Sequence, residues 1–540
     1  MLEDYVMLQY SLLDEPLIRA RQVNGGQAVK YSLPSLFVAL ARDEVRDFPA
    51  LRPHQRHPWH AFLVQLAAMA LHHAKQEQPF ATERGWKAAL LALTPEHPDG
   101  AAWCLIAPHD KPAFMQAPVP GGDVSDWKSV KDKTTITTPD ELDMLITSKN
   151  HDLKAARMRQ AGADDWMMAL ISLQTQEGSM GSGKFGISRM NSGYGSRPGV
   201  GIVSKQQLGK RWGRDVSKLL AERAHVVEVM GLKDQGGIGL VWLKPWDGSN
   251  SLSFSALDPF YIEICRRIRL QQSGNFVISA IGTGSQAQRI AAKERNGITG
   301  DPWVPVDIAE GKALTITATG FNYRLAVALL CGKYSKPIAQ KVVDSDGQEG
   351  LAILAQGVAR GGGKTGGYHE RRIPISAAAR RMLIRAQTDG LAKVAEYRVN
   401  AIKVIRGVLW AAITTLFDNA KSQGNGSSAP KGLEQIVDKF LDQFEQAEDS
   451  RFFDDLNAEI EAADPDQVRL QWLLAMADRA EGILKNAFVA GPQSGEQRYR
   501  SRSAALSRFH GSLRSEKTLP TLANYYRQST TNKEIADEPA

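Results

Sequence analysis

The sequence predicts an α+β protein: a large mixed, loop-rich N-terminal domain over residues 1–374 and a C-terminal antiparallel four-helix bundle over 375–540. Three observations carry that reading. A chain of 540 residues exceeds what one compact core accommodates. The hydrophobic pattern changes character near residue 375. Before that point, short β-branched runs are punctuated by Gly, Pro and Ser, without the regular strand–helix alternation of a doubly wound sheet.

In the N-terminal part the β-branched runs place strands at Gly199–Val203, Val226–Met230, Ile238–Trp242, Phe276–Ile281 and Leu314–Ala318. Helical periodicity falls on Trp59–Ala74, Asp164–Gln174, Lys205–Ala224 and Leu325–Cys331. After Pro374 the period lengthens. Ser376 is placed to cap a helical stretch reaching Asp418, with Gly390 as a weak point where two helices join. A Gly/Ser/Asn-rich loop follows, and a second helix spans Leu433–Ala462. Asp464, Pro465 and Gln467 form a start signal for a third helix, in which Asp464 caps and Pro465 takes the first turn. Gly491 and Pro492 stop it, and a fourth helix covers about Glu496–Ser515. The tail after Lys517 is expected to be partly ordered at best.

Composition excludes several classes. Hydrophobic residues make up 43% and charged residues 23%, which is ordinary for a globular chain. No run is expected to span a membrane, since the most apolar stretch, Trp59–Ala74, contains His60, Gln65, His72 and His73. The first residues carry acids and lack the order of a signal peptide. Cys104, Cys265 and Cys331 lie far apart, which argues against a disulfide framework and a cysteine-built zinc site. A cytoplasmic protein without cofactor or metal is expected. The formal charge of +7 permits a polyanionic partner without requiring one.

Four segments could carry chemistry. Glu177–Gly199 interleaves glycines with Lys184, Arg189 and Arg197. Glycine lets a backbone approach a ligand closely, and basic neighbours suit phosphates. A groove-inserted loop and a long plain turn both fit that composition. Arg360–Arg372 suggests a phosphate-binding P-loop at Gly363, Lys364 and Thr365, but the first glycine of that pattern would fall on Val358. A glycine-flanked hairpin with Lys364 and Thr365 at its tip is the better reading, and a nucleotide-binding enzyme is the alternative. Arg498, Arg500, Arg502, Arg508 and Arg514 form a basic stripe interleaved with Tyr499 and Phe509, suited to a phosphate backbone or to plain solvent. His54, His57 and His60 are spaced like ligands, but Pro53 and Pro58 favour a surface turn. Asp164 and Asp165 suit a helix N-terminus. No GxSxG or HExxH constellation occurs, so no enzymatic activity is expected.

The order of several short motifs resembles the CasA family, the large subunit of type I-E CRISPR Cascade surveillance complexes. They are Leu12-Leu13-Asp14-Glu15-Pro16-Leu17, Asn24-Gly25-Gly26, Leu33-Pro34-Ser35-Leu36, Pro112-Ala113-Phe114-Met115-Gln116, the glycine loop and the Gly361–Arg372 hairpin. The resemblance covers nearly the whole chain. It implies a non-catalytic subunit of a complex built on a guide crRNA, which recognises the protospacer-adjacent motif of double-stranded DNA through the minor groove. Gly181, Ser182, Gly183 and Lys184 would read the motif, aided by Lys293. The hairpin, with Gly363, Lys364, Thr365 and Gly366, would wedge the duplex open to start the R-loop, although a glutamine prominent in relatives is missing there. Ser148, Lys149, Asn150 and His151 would touch the guide and neighbouring Cascade subunits. The bundle, with Arg498, Arg500, Arg502 and Arg508, would steer the displaced strand and help recruit the helicase-nuclease.

Overall fold

The computed structural model describes residues 8–127, 136–142, 161–190, 195–204, 208–273, 277–346, 350–361, 364–385, 389–418 and 432–536. The chain separates into two compact units, Met1–Phe321 with Gly332–Ile373, and Asn322–Cys331 with Pro374–Ala540. The α+β class expected from the sequence is observed, with small sheets and helices in the first unit and helices in the second.

The first unit is organised around one buried helix. Its described helices are α1 (Leu33–Ala41), α2 (Arg56–His73), α3 (Glu83–Ala92), α4 (Ala163–Gln176) and α5 (Leu208–Met230). On α2, Ala61, Val64, Leu66, Ala67, Ala68, Ala70 and Leu71 are fully buried. Small alanines on every side let α3, α4 and α5 approach together. α5 buries Trp212, Val216, Leu219, Arg223 and Val226, a spacing that defines one helical face. The strand expected at Val226–Met230 is therefore the last turn of α5. Its β-branched residues continue an upstream helical pattern, and that pattern wins over local propensity.

The histidine cluster is not a surface turn. His54, His57 and His60 are all buried. Pro53 opens a short 3-10 turn and Pro58 lies in the first turn of α2, where a missing N–H leaves no helix bond unmade. The prolines start the helix rather than break it. His60 Nε2 lies 2.8 Å from Asp215 Oδ2. Burial, reinforced by Arg211, pushes the His60 imidazole down to about 4, so the neutral ring donates to the carboxylate. Among the described residues no cluster of His, Cys, Asp and Glu is arranged to hold a metal.

Two three-stranded sheets are the largest among the described residues of this unit, one near the N-terminus and one that includes Ala352–Gly361. Gly199–Val203 pairs antiparallel with Ala352–Gly361, in register from Ala352 opposite Val203 to Gln356 opposite Gly199. Lys364–Pro374 lies on the other side of Ala352–Gly361. A long hairpin joins Arg267–Ser273 to Val277–Thr283. Leu314–Ala318, expected as a strand, pairs with no described strand. It packs through side chains instead; a Cβ on Gly357 would come within 2.9 Å of Ile316.

The second unit contains α6 (Tyr323–Leu330), α7 (Ala377–Ile384), α8 (Asp389–Asp418), α9 (Leu433–Glu461), α10 (Pro465–Ala487), α11 (Gly495–Leu513) and α12 (Pro520–Ala536). The expected caps form. Ser376 Oγ accepts from Ala379 N at 3.2 Å, and Asp464 Oδ1 from Gln467 N at 3.1 Å. α6 joins the bundle through Tyr323, which stacks on Phe452 at 5.0 Å and donates to Glu445 at 2.9 Å. The tail forms α12, contrary to the expectation of partial order, because Leu519, Leu522 and Ala523 are buried. Asp389–Phe417 is also long and apolar enough to cross a membrane, which the sequence reading passed over. Here its Ala401, Ile402, Ile405, Leu409 and Ile413 form the bundle core.

Arg398 on α8 is fully buried and pairs with Glu459 on α9 at 2.8 Å, over the Trp472 ring of α10. Glu459 also takes Arg469 at 2.7 Å, so truncating Arg398 removes one of its two partners and empties a buried site. Arg398→Ala is expected to destabilise the bundle by about 2–3 kcal/mol, seen as faster hydrogen exchange across α8 and α9. In the first unit, His60 gives a pH test. Its folded pKa of about 4 lies below the ordinary 6.5, so the unfolded state binds the extra proton between them. The contribution is complete above pH 6.5 and is lost as pH falls towards 4, by about 3 kcal/mol in all. Asp215, held below its ordinary range despite burial by its bond to His60 and by Arg211 and Arg214, adds loss at still lower pH. Denaturant unfolding of wild type and His60→Gln across that window checks this; the variant should lose the His60 share of the slope and keep that of the equally buried His57, which burial also pushes well down.

Candidate nucleic-acid interface

The glycine loop follows α4 directly. The last turns of α4 hold its base. Gln174 Oε1 accepts from Cys265 N and Arg266 N at 2.8 Å, and its Nε2 donates to Arg266 O at 3.0 Å. Arg266 then reaches back, donating to Gly178 O at 2.9 Å and to Phe185 O. One buried guanidinium thus ties both arms of the loop. Gly186 lies against Gly178 and Ser179, where a Cβ would fall 2.6 Å from their backbone. Ile187 N returns to Glu177 O at 3.0 Å.

The arm after the loop is locked by charge. Arg189 Nη1 lies 3.2 Å from Asp301, and Arg197 Nε 2.7 Å from the same carboxylate. Arg189 also faces Glu263 at 3.4 Å, and Ser188 donates to Glu263 through both N and Oγ. Burial pushes the Asp301 carboxyl up, but the two arginines outweigh it and hold the group at about 2. Burial wins at Glu263 and raises it.

The tip has a different character. Lys184 N donates to Gly181 O at 3.1 Å and Met180 N to Lys184 O at 2.8 Å, closing a tight turn. Gly181 has φ +107° with open space where a Cβ would stand, and Gly183 has φ +73°. Such backbone favours glycine. Ser182 between them is exposed. The underside of the tip is fixed, since Ser285 N donates to Gly183 O at 2.9 Å.

The structure brings two other expected segments to this loop. Gly297, in the turn after Lys293–Arg295, packs against Arg189 and Met190, and Lys293 itself is exposed. Arg360, near the end of Ala352–Gly361, pairs with Glu177, and both side chains are buried. Sequence reading missed Arg360, Glu177 and Arg266, because a single charge in a strand or loop carries no mark of its partner.

The hairpin differs from expectation at its end. Lys364 and Thr365 begin the strand Lys364–Pro374 rather than sit in a turn, and Gly363 lies outside the described residues. Gly366 packs between Ala359 and Ala318. A P-loop needs a helix after its Lys-Thr; here a strand follows. Ser148, Lys149, Asn150 and His151 lie outside the described residues. The stripe lies on α11, with Arg498, Arg500, Arg508 and Arg514 exposed and Arg502 partly covered. Arg500 lies 3.6 Å from Glu496, and Arg502 stacks over Phe488. The Pro112–Gln116 motif is a core device: Phe114, Met115 and Gln116 are fully buried, and Gln116 bonds Leu105 O at 2.8 Å and Leu270 N at 2.6 Å.

Two such units in one chain define a fold found in CRISPR-associated proteins. More narrowly, it is the fold of CasA (Cse1). The chain is similar to Thermus thermophilus CasA (Cse1), with TM-score 0.63 and 14% identity over 94% of this chain and 99% of that one. It is similar to Cse1 from Acidimicrobium ferrooxidans, with TM-score 0.61 and 13% identity over 97% and 99%. A chain from a CRISPR RNA-guided surveillance complex matches with TM-score 0.53 and 13% identity over 93% and 100%. No family model and no curated protein sequence matches the chain.

The two kinds of glycine separate experimentally. Gly186→Ala forces a methyl into backbone and is expected to lower stability by about 2–3 kcal/mol. Thermal unfolding of the full chain checks this. A change below about 0.5 kcal/mol would mean that the loop base is not packed as described.

Proposed function

We propose that this chain is the non-catalytic large subunit of a crRNA-guided type I-E Cascade complex, and that it reads the protospacer-adjacent motif of duplex DNA with the Gly181–Lys184 turn. One observation carries the reading: an exposed tip with glycine at both positive-φ positions stands on a base fixed by buried hydrogen bonds and ion pairs. That design suits close backbone approach to a narrow groove. The minor groove offers a degenerate pattern, so permissive motif choice follows. Lys293, exposed in the Lys293–Arg295 turn, is the accessory cation in this reading.

The Ala352–Pro374 hairpin is the wedge in this reading. Its tie to the loop through Arg360 and Glu177 supports a coupling between motif contact and duplex opening. Opening a base step costs about a few kcal/mol, which contacts to the loop would offset. The guide then reads sequence by base pairing. The exposed arginines of α11 steer the displaced strand, and the bundle helps to recruit the helicase-nuclease. The work is cytoplasmic. The alternative P-loop enzyme conflicts with the strand that follows Lys364.

The test is binding of the reconstituted complex to duplexes that differ only in the base pairs beside the target. Wild type should discriminate among them. Gly181→Asp with Gly183→Asp should lose discrimination and at least about tenfold in affinity, or about 1.4 kcal/mol. If both proteins bind all duplexes alike, the glycine turn is not the reader.

A further inference from the structure

A second charged site lies in the first unit, between α2, α5 and the sheet. It is a cleft of about 360 Å³. Four arginines, Arg21, Arg46, Arg56 and Arg211, line it against two carboxylates, Asp47 and Glu370. Both carboxylates are already engaged. Asp47 serves Arg21 at 2.7 Å and Arg46 at 3.3 Å. Glu370 accepts from Gln356 at 2.9 Å and from Tyr368 at 2.5 Å, and Arg56 stands 4.0 Å away. His60 beneath is neutral, so it cancels no charge.

Arg211 is the telling residue. No hydrogen bond or ion pair joins it to another described residue, and its Nε is buried without an acceptor. Trp59 Nε1, in the same cleft, is a second buried donor without an acceptor. Buried donors normally find partners, and an unmet one costs about 1–3 kcal/mol. Two of them in a net-positive cleft suit an acceptor-rich anion. Guanidinium forks match phosphate and also stack on flat rings. The volume lies within the range of small-ligand sites, about 300–1,000 Å³, and is too large for phosphate alone. Phe48, Leu51 and Leu354 supply apolar wall for a larger body.

We propose that this cleft binds a nucleoside phosphate, with Arg211 holding the phosphate and Arg46 and Arg56 covering the base. The site is independent of the glycine turn. Its ligand is either a free nucleotide or the end of a strand. Arg211 also borders a neighbouring cleft that displays Lys210 and Lys218, a route along which a strand could continue.

The experiment is calorimetric titration of the full chain with nucleoside 5′-monophosphates, with inorganic phosphate, and with a short oligoribonucleotide carrying or lacking a 5′-phosphate. Arg211→Gln and the rim variant Arg46→Gln are compared with wild type, and circular dichroism confirms folding. Saturable mononucleotide binding, weakened at least about tenfold by Arg211→Gln, supports the site and identifies a free nucleotide. Binding of the phosphorylated oligonucleotide only, with the same loss, supports it with a strand end as ligand. If Arg211→Gln fails to fold, Arg46→Gln carries the test and should weaken binding several-fold. The Gly181→Asp, Gly183→Asp variant should bind as wild type, so failure here and failure of motif reading are distinguishable. No binding, phosphate binding as tight as nucleotide, or affinity unchanged by the arginine variants overturns the proposal.

Discussion

The carboxylate of Asp301 is the constraint on which the path of the glycine loop in the first unit depends. It takes Arg189 and Arg197, which flank the loop's return path, and it also accepts from Trp303 N at 2.9 Å. Two buried cations and one buried anion would be costly alone. Glu263 and the Tyr261 carbonyl complete the set: Arg189 donates to Tyr261 O at 2.6 Å and lies 3.9 Å over its ring. The charges are therefore matched and hydrogen-bonded, the condition under which a buried ionic network fixes one arrangement. Removing Asp301 would release both the exit of the glycine loop and the Trp303 turn that packs on His57.

A rigid base matters because the tip is built from residues that resist order. Glycine gives up more conformational freedom on folding than any other residue. A free glycine turn would lose that freedom only on meeting its ligand, and affinity would fall accordingly. Here Arg266 and Ser285 order the turn in advance by donating to backbone carbonyls, and Gln174 fixes Arg266 by accepting from its N–H and donating to its carbonyl. Between the two glycines the exposed edge carries only the Ser182 side chain, while the ties named here hold the base of the turn.

Much of the architecture was legible in the sequence. Ser376 and Asp464 read correctly as caps, since capping depends on local residue type and spacing. The order of short motifs pointed to the fold that the solved structures share. The failures have a common cause. Val226–Met230 and Leu314–Ala318 were judged on local propensity, and tertiary packing decided otherwise. His54, His57 and His60 were judged exposed from their prolines, which in fact begin a buried helix. Tail residues Leu519 and Leu522 found cover in the bundle that no local pattern announces. Buried arginines were invisible for a deeper reason. Arg269 is fully buried, yet its partners are carbonyls of Ala107, Pro108 and Lys111, more than 150 residues away. Backbone acceptors carry no sequence signature.

The same reasoning separates the arginines that build this protein from those left to act. Arg189, Arg197, Arg266 and Arg269 are buried and anchored on carboxylates or carbonyls, which makes them structural whatever the chain binds. Arg498, Arg500 and Arg508 are exposed, and Arg500 faces Glu496 in a solvent-exposed pair, so their charge is available to a polyanion. Arg211 fits neither group, being half-buried and without a partner. Other buried guanidiniums, such as those of Arg197, Arg269 and Arg398, leave a nitrogen without a hydrogen bond yet are anchored through another, whereas no nitrogen of Arg211 is anchored on another described residue, and an acceptor that arrives from outside accounts for it.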